Sequence, residues 1–292
     1  MAFPARPLRL LPLLALAGSL ACSSAPPIPT RPFEYRGAVE GGAGKLSVSD
    51  GGTGEPAVLF VHGLGSELEA WRGELDRLRT SRRAVAYDQR GHGASDRARD
   101  GVYTIDALAG DLDRVVKALG LRRVVLVGHS MSGTVITTWA GAHPEQVAGL
   151  IYADAIGDFH ALEPAKLEPV MQGDQAFVTD PPSRHRMYGE MLGAAARPST
   201  RAAVLASVDK LDPPAFPALR RGLFEFKVGD RLKDVKAPIT AIEADGPPFP
   251  FSAANVVPGA RRIGLANVSH WLMQDDPVAF AKAMDEALAR KP

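Results

Sequence analysis

A serine lies at a tight turn between a predicted buried strand and a predicted helix. The apolar run Val124–Val127 is followed by Gly-His-Ser-Met-Ser-Gly at 128–133, so small residues flank Ser130. A sharp turn of this kind, a nucleophile elbow, exposes a serine hydroxyl at the carboxyl end of the strand. The backbone N–H groups and the helix dipole there favour negative charge. The sequence predicts that Ser130 is a nucleophile, with Ser132 in place of the second glycine of Gly-x-Ser-x-Gly.

A second glycine-flanked turn could donate hydrogen bonds to the same reaction. Residues 60–65 read Phe-Val-His-Gly-Leu-Gly and close another apolar run. If the two turns share a pocket, the backbone N–H groups of Leu64 and Met131 form an oxyanion hole. We expect His62 to pack within its loop rather than to transfer a proton.

His270 is the predicted general base. It follows the last predicted strand, Arg261–Leu265, in a loop from which a side chain can reach a nucleophile on another strand. The other histidines that follow Ser130 lie at a helix end or in a segment without strand candidates and are expected to be structural or pocket-lining: His143, His160 and His185.

Three carboxylates could orient the imidazole of His270 and stabilise its protonated form. Asp245 follows the apolar run Ile239–Ile242 by a short turn and is the preferred candidate. Asp154 ends the preceding predicted strand and is the alternative acid. Glu243 lies within the strand register and is the least favoured.

The elements that must position these residues alternate along the chain. Short β-branched runs alternate with helical patterns, which predicts an α/β fold: a mostly parallel, doubly wound sheet with helices on both faces. Residues 45–54 predict an initial antiparallel hairpin that turns at 51–54. Residues 156–232 contain helical patterns and no strong strand, so we expect a helical cap there, between core segments at 36–155 and 233–292.

The first residues have the composition of a targeting segment. Residues 1–21 combine two arginines with a short apolar run, which predicts an export signal rather than a membrane-spanning helix of about 20 apolar residues. The single cysteine, Cys22, follows in a context that resembles a bacterial lipobox, so we expect a lipid anchor at Cys22. The alternative is plain secretion after cleavage at Ala17 or Ala21. Residues 22–35 are Pro-rich and predict an extended tether. Either reading places the protein in the cell envelope or outside the cell.

Charge and cysteine content exclude other classes of function. The formal net charge is +1, without a basic run or paired cysteines. This composition lacks the electrostatic pattern of nucleic-acid binding and the ligand spacing of a zinc module. We expect a small-molecule substrate, no nucleic-acid partner, no cofactor and no metal.

Five motifs in order resemble the α/β-hydrolase superfamily, in the branch with a serine nucleophile and a helical cap. Besides the two turns, residues 88–96 resemble D-x-R-G-x-G-x-S. Residues 238–245 resemble P-x-x-A-I-N-x-D with Glu243 in place of Asn, and residues 270–277 resemble the H-x-x-x-x-E-D-P ending, preceded by Ser269 in place of Gly. The resemblance spans about 36–290 and implies the chain order nucleophile, acid, histidine.

The resemblance implies a serine hydrolase that cleaves a carboxylic ester or lactone through an acyl-enzyme. Serine at position 130 argues against the epoxide hydrolases and haloalkane dehalogenases of the same fold, which use aspartate. A C–C hydrolase, an aminopeptidase or a perhydrolase would use the same triad and stays open. A hydrolase-fold ligand-binding or signalling protein with slow turnover is the alternative from another class.

Apolar cap residues are expected to line an acyl pocket or to pack between the cap helices. The set comprises Phe159, Met171, Phe177, Met187, Tyr188, Met191, Phe224 and Phe226.

Overall fold

The computed structural model describes the backbone of residues 35–291, and their side chains except at 35, 173–179 and 181. The predicted export signal, Cys22 and nearly all of the predicted tether lie outside these residues. Within them, no helix combines the length and the apolar character needed to cross a membrane.

An eight-stranded sheet forms the centre of the molecule, in the order β1-β2-β4-β3-β5-β6-β7-β8. Strand β2 pairs antiparallel with both β1 and β4. All other neighbouring strands of the sheet pair parallel. The strands are β1 Tyr35–Glu40, β2 Lys45–Gly51, β3 Ala57–Val61, β4 Ala84–Tyr87, β5 Val124–His129, β6 Val147–Ala153, β7 Ile239–Ala244 and β8 Arg261–Leu265. The predicted fold class is confirmed.

The central strands are covered on both faces. Every residue of β3, β4 and β5 is buried, as expected for parallel strands between helical layers. The helices are α1 Arg72–Leu78, α2 Ile105–Ala118, α3 Ser132–Ala142, α4 Pro164–Thr179, α5 Pro181–Leu192, α6 Pro198–Val208, α7 Ala215–Glu225, α8 Ala253–Val256, α9 Leu272–Asp275 and α10 Pro277–Leu288.

The hairpin at the start of the sheet turns earlier than the sequence predicts. The turn lies between β1 and β2, where the Gly41 N–H donates to the Gly44 carbonyl. The predicted turn position is wrong because Gly51 completes β2, opposite Ala84 of β4. Both segments are glycine-rich, and pairing with β4 decides between them.

Helices α4 to α7 form one excursion between β6 and β7, which we call the cap. Asp158 ties its two ends together, since its carboxylate accepts from the backbone N–H of His160 at 2.8 Å and of Val228 at 2.9 Å. A backbone bond from Asp212 to Gly91, 2.9 Å, fixes the cap to the loop after β4. The cap therefore sits over the carboxyl ends of the parallel strands.

Candidate active site

Ser130 occupies a strained turn between β5 and α3. Its φ of +54° lies in the left-handed region that non-glycine residues rarely adopt. A Cβ at Gly128 would lie 2.7 Å from the Ser132 carbonyl oxygen, and one at Gly133 would lie 2.5 Å from the Ile156 carbonyl oxygen. Glycine is therefore needed on both sides of the turn, which holds the Ser130 side chain at the floor of a cavity.

Ser132 replaces the second glycine of the usual elbow and makes bonds that a glycine cannot. Its buried hydroxyl donates to the His62 carbonyl. The Gln89 side-chain amide donates to the same carbonyl at 2.7 Å and lies 3.2 Å from the Ser132 hydroxyl. The substitution thus ties the elbow to the end of β3.

The turn after β3 packs directly against the elbow. A Cβ at Gly63 would lie 2.9 Å from Cβ of Ser130, so only glycine permits this approach. Leu64 and Met131 line the same cavity as Ser130. Across the described residues, neither of their backbone N–H groups donates a hydrogen bond. Two residues that line the cavity with Ser130 thus each have a backbone N–H without a described acceptor.

His62 is fully engaged within the loop. Its Nδ1 lies 2.8 Å from the Gly63 carbonyl oxygen, and its Nε2 accepts from the Gln89 backbone N–H at 3.0 Å. Burial lowers the pKa of His62 to about 4. The imidazole is therefore neutral with both nitrogens occupied, in agreement with a packing role.

His270, in the loop between β8 and α9, bonds to Asp154. Its Nδ1 lies 2.6 Å from Oδ2 of Asp154, which directly follows β6 and has a φ of +43°. Burial raises the pKa of Asp154, but the hydrogen bond and the charge of His270 outweigh burial, so the pKa is lowered overall. Asp154 is thus held as a carboxylate against the imidazole.

The structure corrects the prediction that Asp245 orients His270. The Asp245 backbone N–H donates to the Leu265 carbonyl at 2.7 Å, which extends the β7–β8 pairing. Its exposed carboxylate lies over Gly264, where an added Cβ would come within 2.7 Å of Oδ1. Asp245 lines the outer cavity, and Asp154 has the contact expected of it. Glu243 is engaged by Arg262 at 3.2 Å.

His270 lines the same cavity as Ser130. Its Nε2 is buried and has no hydrogen-bond partner among the described residues. A buried nitrogen without a hydrogen-bond partner lowers the stability of the fold. Such groups are kept where they have a function, for example in catalysis. With Nδ1 fixed by Asp154, Nε2 is the nitrogen that can exchange a proton with a group in the cavity.

His129 is a second residue in contact with His270, and its role was not predicted from the sequence. Its Nε2 lies 2.8 Å from the His270 carbonyl oxygen, and the two rings are 4.6 Å apart. Burial, with a smaller contribution from His270, lowers the pKa of His129 to about 3. A neutral His129 can donate from Nε2 to that carbonyl. Its position beside Ser130 was the only signal in the sequence.

The His270 loop has a further anchor in Asp275. One oxygen of this buried carboxylate accepts from the Ser269 backbone N–H at 2.8 Å, and the other accepts from the backbone N–H of Arg197, just before α6, at 3.0 Å. The loop that carries His270 is therefore bonded to the cap as well as to α9.

The cavity above Ser130 has a volume of about 740 Å³, within the range of about 300–1,000 Å³ usual for small-molecule sites. One wall is aromatic, with ring centroids 4.5 Å apart for Phe159 and Phe251 and 5.3 Å apart for Phe251 and Phe249.

The predicted pocket residues of the cap divide between the cavity and the protein core. The cavity is lined by Phe159, Met187, Tyr188 and Met191. Phe224 and Phe226 are buried in the core, and Met171 is exposed beside Val170 on α4. The side chain of Phe177 lies outside the described residues.

Comparison with known families finds a match to the family described as "alpha/beta hydrolase fold" over residues 56–200. This range includes the turn after β3, the elbow and Asp154.

Among curated proteins, the chain is 38% identical over 111 residues to epoxide hydrolase 3 of Xenopus tropicalis. That match covers 37% of this chain and 30% of the relative, so it spans less than a third of the relative's length.

Solved structures match over most of the chain. Est816, described as an N-acyl homoserine lactone degrading enzyme, superposes with a TM-score of 0.72 at 23% identity, over 86% of this chain and 99% of its own. A thermophilic esterase from Thermogutta terrifontis gives a TM-score of 0.73 at 22% identity, over 86% and 97%. At these identities the likeness establishes the fold alone.

Proposed function

Because the chain belongs to the α/β-hydrolase superfamily, we propose that it is a serine hydrolase that cleaves a carboxylic ester or lactone through Ser130, His270 and Asp154. The observation that carries this proposal is the 2.6 Å bond between His270 and Asp154. The other ring nitrogen, Nε2, has no described partner, and His270 lines the same cavity as the strained turn at Ser130.

The proposed reaction uses these groups in order. His270 Nε2 takes the proton of the Ser130 hydroxyl as Oγ attacks the substrate carbonyl carbon, and Asp154 stabilises the imidazolium that forms. The oxyanion of the tetrahedral intermediate accepts from the N–H groups of Leu64 and Met131. The intermediate then collapses: the bond to the leaving oxygen breaks, His270 gives that oxygen its proton, and the acyl group stays esterified to Ser130. Water attacks the acyl carbon as His270 takes its proton. The bond to Oγ breaks, His270 returns the proton to Oγ, and the acid is released.

The cavity favours a substrate with an apolar group. Its aromatic wall runs from the buried ring of Phe159 through Phe251 to Phe249, which is 69% exposed at the mouth. Burial of apolar area contributes about 25 cal/mol per Å². An apolar acyl or alcohol group on this wall therefore gains binding energy without a charged partner.

The first test is hydrolysis of p-nitrophenyl esters of increasing chain length, together with lactones, by wild type and Ser130→Ala. We expect Ser130→Ala to lose at least about 10³-fold in kcat, because the step it removes forms the acyl-enzyme. Ser81→Ala is a matched control, since among the described residues its hydroxyl bonds only to the Leu78 carbonyl, and Ser81 does not line the cavity.

The outcomes separate the candidate functions. Equal rates for wild type and Ser130→Ala would refute the nucleophile. Absence of turnover by the wild type on every acyl substrate would favour a ligand-binding protein. Turnover that requires hydrogen peroxide would favour a perhydrolase over a hydrolase.

We also propose that the protein is exported and attached to a membrane through lipid at Cys22, on the basis of the apolar segment and the lipobox-like context. Cys22→Ala should then lower the mature mass by the lipid and release the protein from the membrane fraction. An unchanged mass and partition would refute the anchor.

A further inference from the structure

The cap holds the turn that carries the Leu64 amide. The Tyr188 hydroxyl on α5 donates to the Leu64 carbonyl at 2.7 Å. One residue further on, the Gly65 carbonyl lies 3.0 Å from the Ser207 hydroxyl on α6. Lys210, which follows α6, pairs with Glu67 at 2.7 Å. Three cap side chains thus contact residues 64–67, within the six residues between β3 and the helical turn Leu68–Trp71.

Tyr188 is the most constrained of these contacts. It is buried, and its ring lies 5.9 Å from that of Trp271, next to His270. Gly65 has a φ of +66°, and a Cβ there would lie 2.5 Å from the Tyr188 hydroxyl oxygen. The glycine therefore makes room for the tyrosine oxygen. The Ser207 contact is weaker, because its single proton is shared with the Val204 carbonyl at 2.9 Å.

The bond acts on a residue that lines the cavity with Ser130 and whose backbone N–H has no described acceptor. The bond to the Leu64 carbonyl restrains the ψ angle of Leu64. The preceding residue, Gly63, packs closely against Ser130, since an added Cβ would lie 2.9 Å from Cβ of Ser130. With both flanking peptide units held, the Leu64 N–H keeps one direction. An oxyanion hole depends on such preorganised donors, because realignment during the reaction would cost free energy.

We infer that Tyr188 is a positioning residue, through which seating of the cap aims the Leu64 amide at the developing oxyanion. The inference rests on the proposed function. It makes the cap part of the catalytic geometry as well as a wall of the cavity: a cap displaced at α5 releases the Leu64 carbonyl and leaves one oxyanion donor misaligned.

The test is Tyr188→Phe, which removes the hydroxyl and keeps the ring against Trp271. We expect kcat to fall by about ten- to a hundred-fold, less than the loss of a whole oxyanion donor. KM should change by less than about threefold, because the interaction acts only in the transition state. The affinity for an arylboronic acid, whose tetrahedral adduct with Ser130 mimics that state, should fall by the same factor as kcat/KM.

Tyr152→Phe is the matched control. Tyr152 is also fully buried and its hydroxyl is also bonded, to Thr137 at 2.7 Å, but it lies within β6 rather than in the cap. It should lose stability without loss of boronic acid affinity. Ser207→Ala should give a smaller effect than Tyr188→Phe in the same direction, and if Tyr188→Phe does not fold it tests whether the cap positions this turn, through the Gly65 carbonyl.

Two results would overturn the inference. One is an unchanged kcat in Tyr188→Phe. The other is a fall in kcat with unchanged boronic acid affinity, which would mean that Tyr188 acts on something other than stabilisation of the tetrahedral oxyanion. Both differ from failure of the proposed function, in which Ser130→Ala would keep wild-type activity.

Discussion

Two neighbouring strands each end in an aspartate at the same edge of the sheet, and only one of the two carboxylates reaches His270. Asp154 follows β6 with a φ of +43° and bonds to Nδ1. Asp245 follows β7, continues the pairing with β8 and leaves its carboxylate exposed over Gly264. Both aspartates follow apolar strands that run in the same direction. The chain turns at Asp154, whereas at Asp245 it continues the strand pairing.

The register of the sheet explains the difference. Ala153 pairs with His129 on one side and with Ile242 on the other, so Asp154 is level with Ser130 on the adjacent strand. Asp245 is one strand further away and two residues beyond that level, about 7 Å at 3.3 Å per residue. Asp154 therefore follows the strand next to the nucleophile at the level of Ser130 and contacts His270, while Asp245 lies one strand further away and further along its strand direction.

The largest expected effect is the difference between Asp154→Asn and Asp245→Asn. Asp154→Asn should lower kcat by about 10³–10⁴-fold, because an amide neither fixes the imidazole tautomer nor stabilises the imidazolium. Asp245→Asn should stay within about threefold of wild type, as expected for an exposed side chain away from the reacting atoms. The measurement is kcat on the best p-nitrophenyl ester. The opposite ranking would mean that β7 supplies the acid in the working enzyme.

The fold, Ser130 and the location of His270 could be predicted because their signals are local. An apolar run followed by small residues predicts a strand and a sharp turn. A histidine that follows the last parallel strand lies at the carboxyl ends of the strands, where the turn with Ser130 also lies. The strained φ of Ser130 and the close approach of Gly63 agree with that reading.

The choice between Asp154 and Asp245 depends on features that are not local. Each follows an apolar strand and precedes small or turn-forming residues, and the sequence does not state the order of the strands in the sheet. The contact of Tyr188 with Leu64 joins residues 124 positions apart. It depends on how the cap folds back, which no periodicity encodes.

Substitution of two glycines by alanine tests how tightly the segments after β6 and β7 are packed. Gly133→Ala would place Cβ 2.5 Å from the Ile156 carbonyl oxygen and 2.9 Å from Cβ of Ala155, in the segment after Asp154. Backbone cannot yield cheaply, so we expect a loss of about 1–3 kcal/mol in the free energy of unfolding. In Gly264→Ala the atoms nearest to the added Cβ belong to the exposed Asp245, whose carboxylate can turn into water, so this change should cost less than about 0.5 kcal/mol.

Urea unfolding of both variants measures this contrast. A loss in Gly264→Ala equal to that in Gly133→Ala would show that the β7 end is packed as tightly as the β6 end. Asp245 would then be a fixed part of the site.

The smallest expected effect is a difference in pH dependence. The β6 end is buried beside His129, whose pKa burial lowers to about 3, whereas the β7 end faces water. A histidine with a lowered pKa stabilises the fold above its unfolded pKa of about 6.5, and this contribution is lost as the pH falls, because the unfolded chain binds a proton that the folded chain does not. Below pH 6.5 the free energy of unfolding should therefore decrease by up to about 1.4 kcal/mol per pH unit for each such histidine.

His129→Gln isolates this contribution, because its amide can still donate to the His270 carbonyl but does not titrate. Urea unfolding between pH 6.5 and 5 should show a slope shallower than that of wild type by up to about 1.4 kcal/mol per pH unit. His62 and His92, whose pKa values are lowered to about 4 and about 3 by burial, contribute to both proteins and cancel in the difference. If His129→Gln kept the wild-type slope, His129 would already be accessible to protons in the folded state, and the β6 end would be as open to solvent as the β7 end.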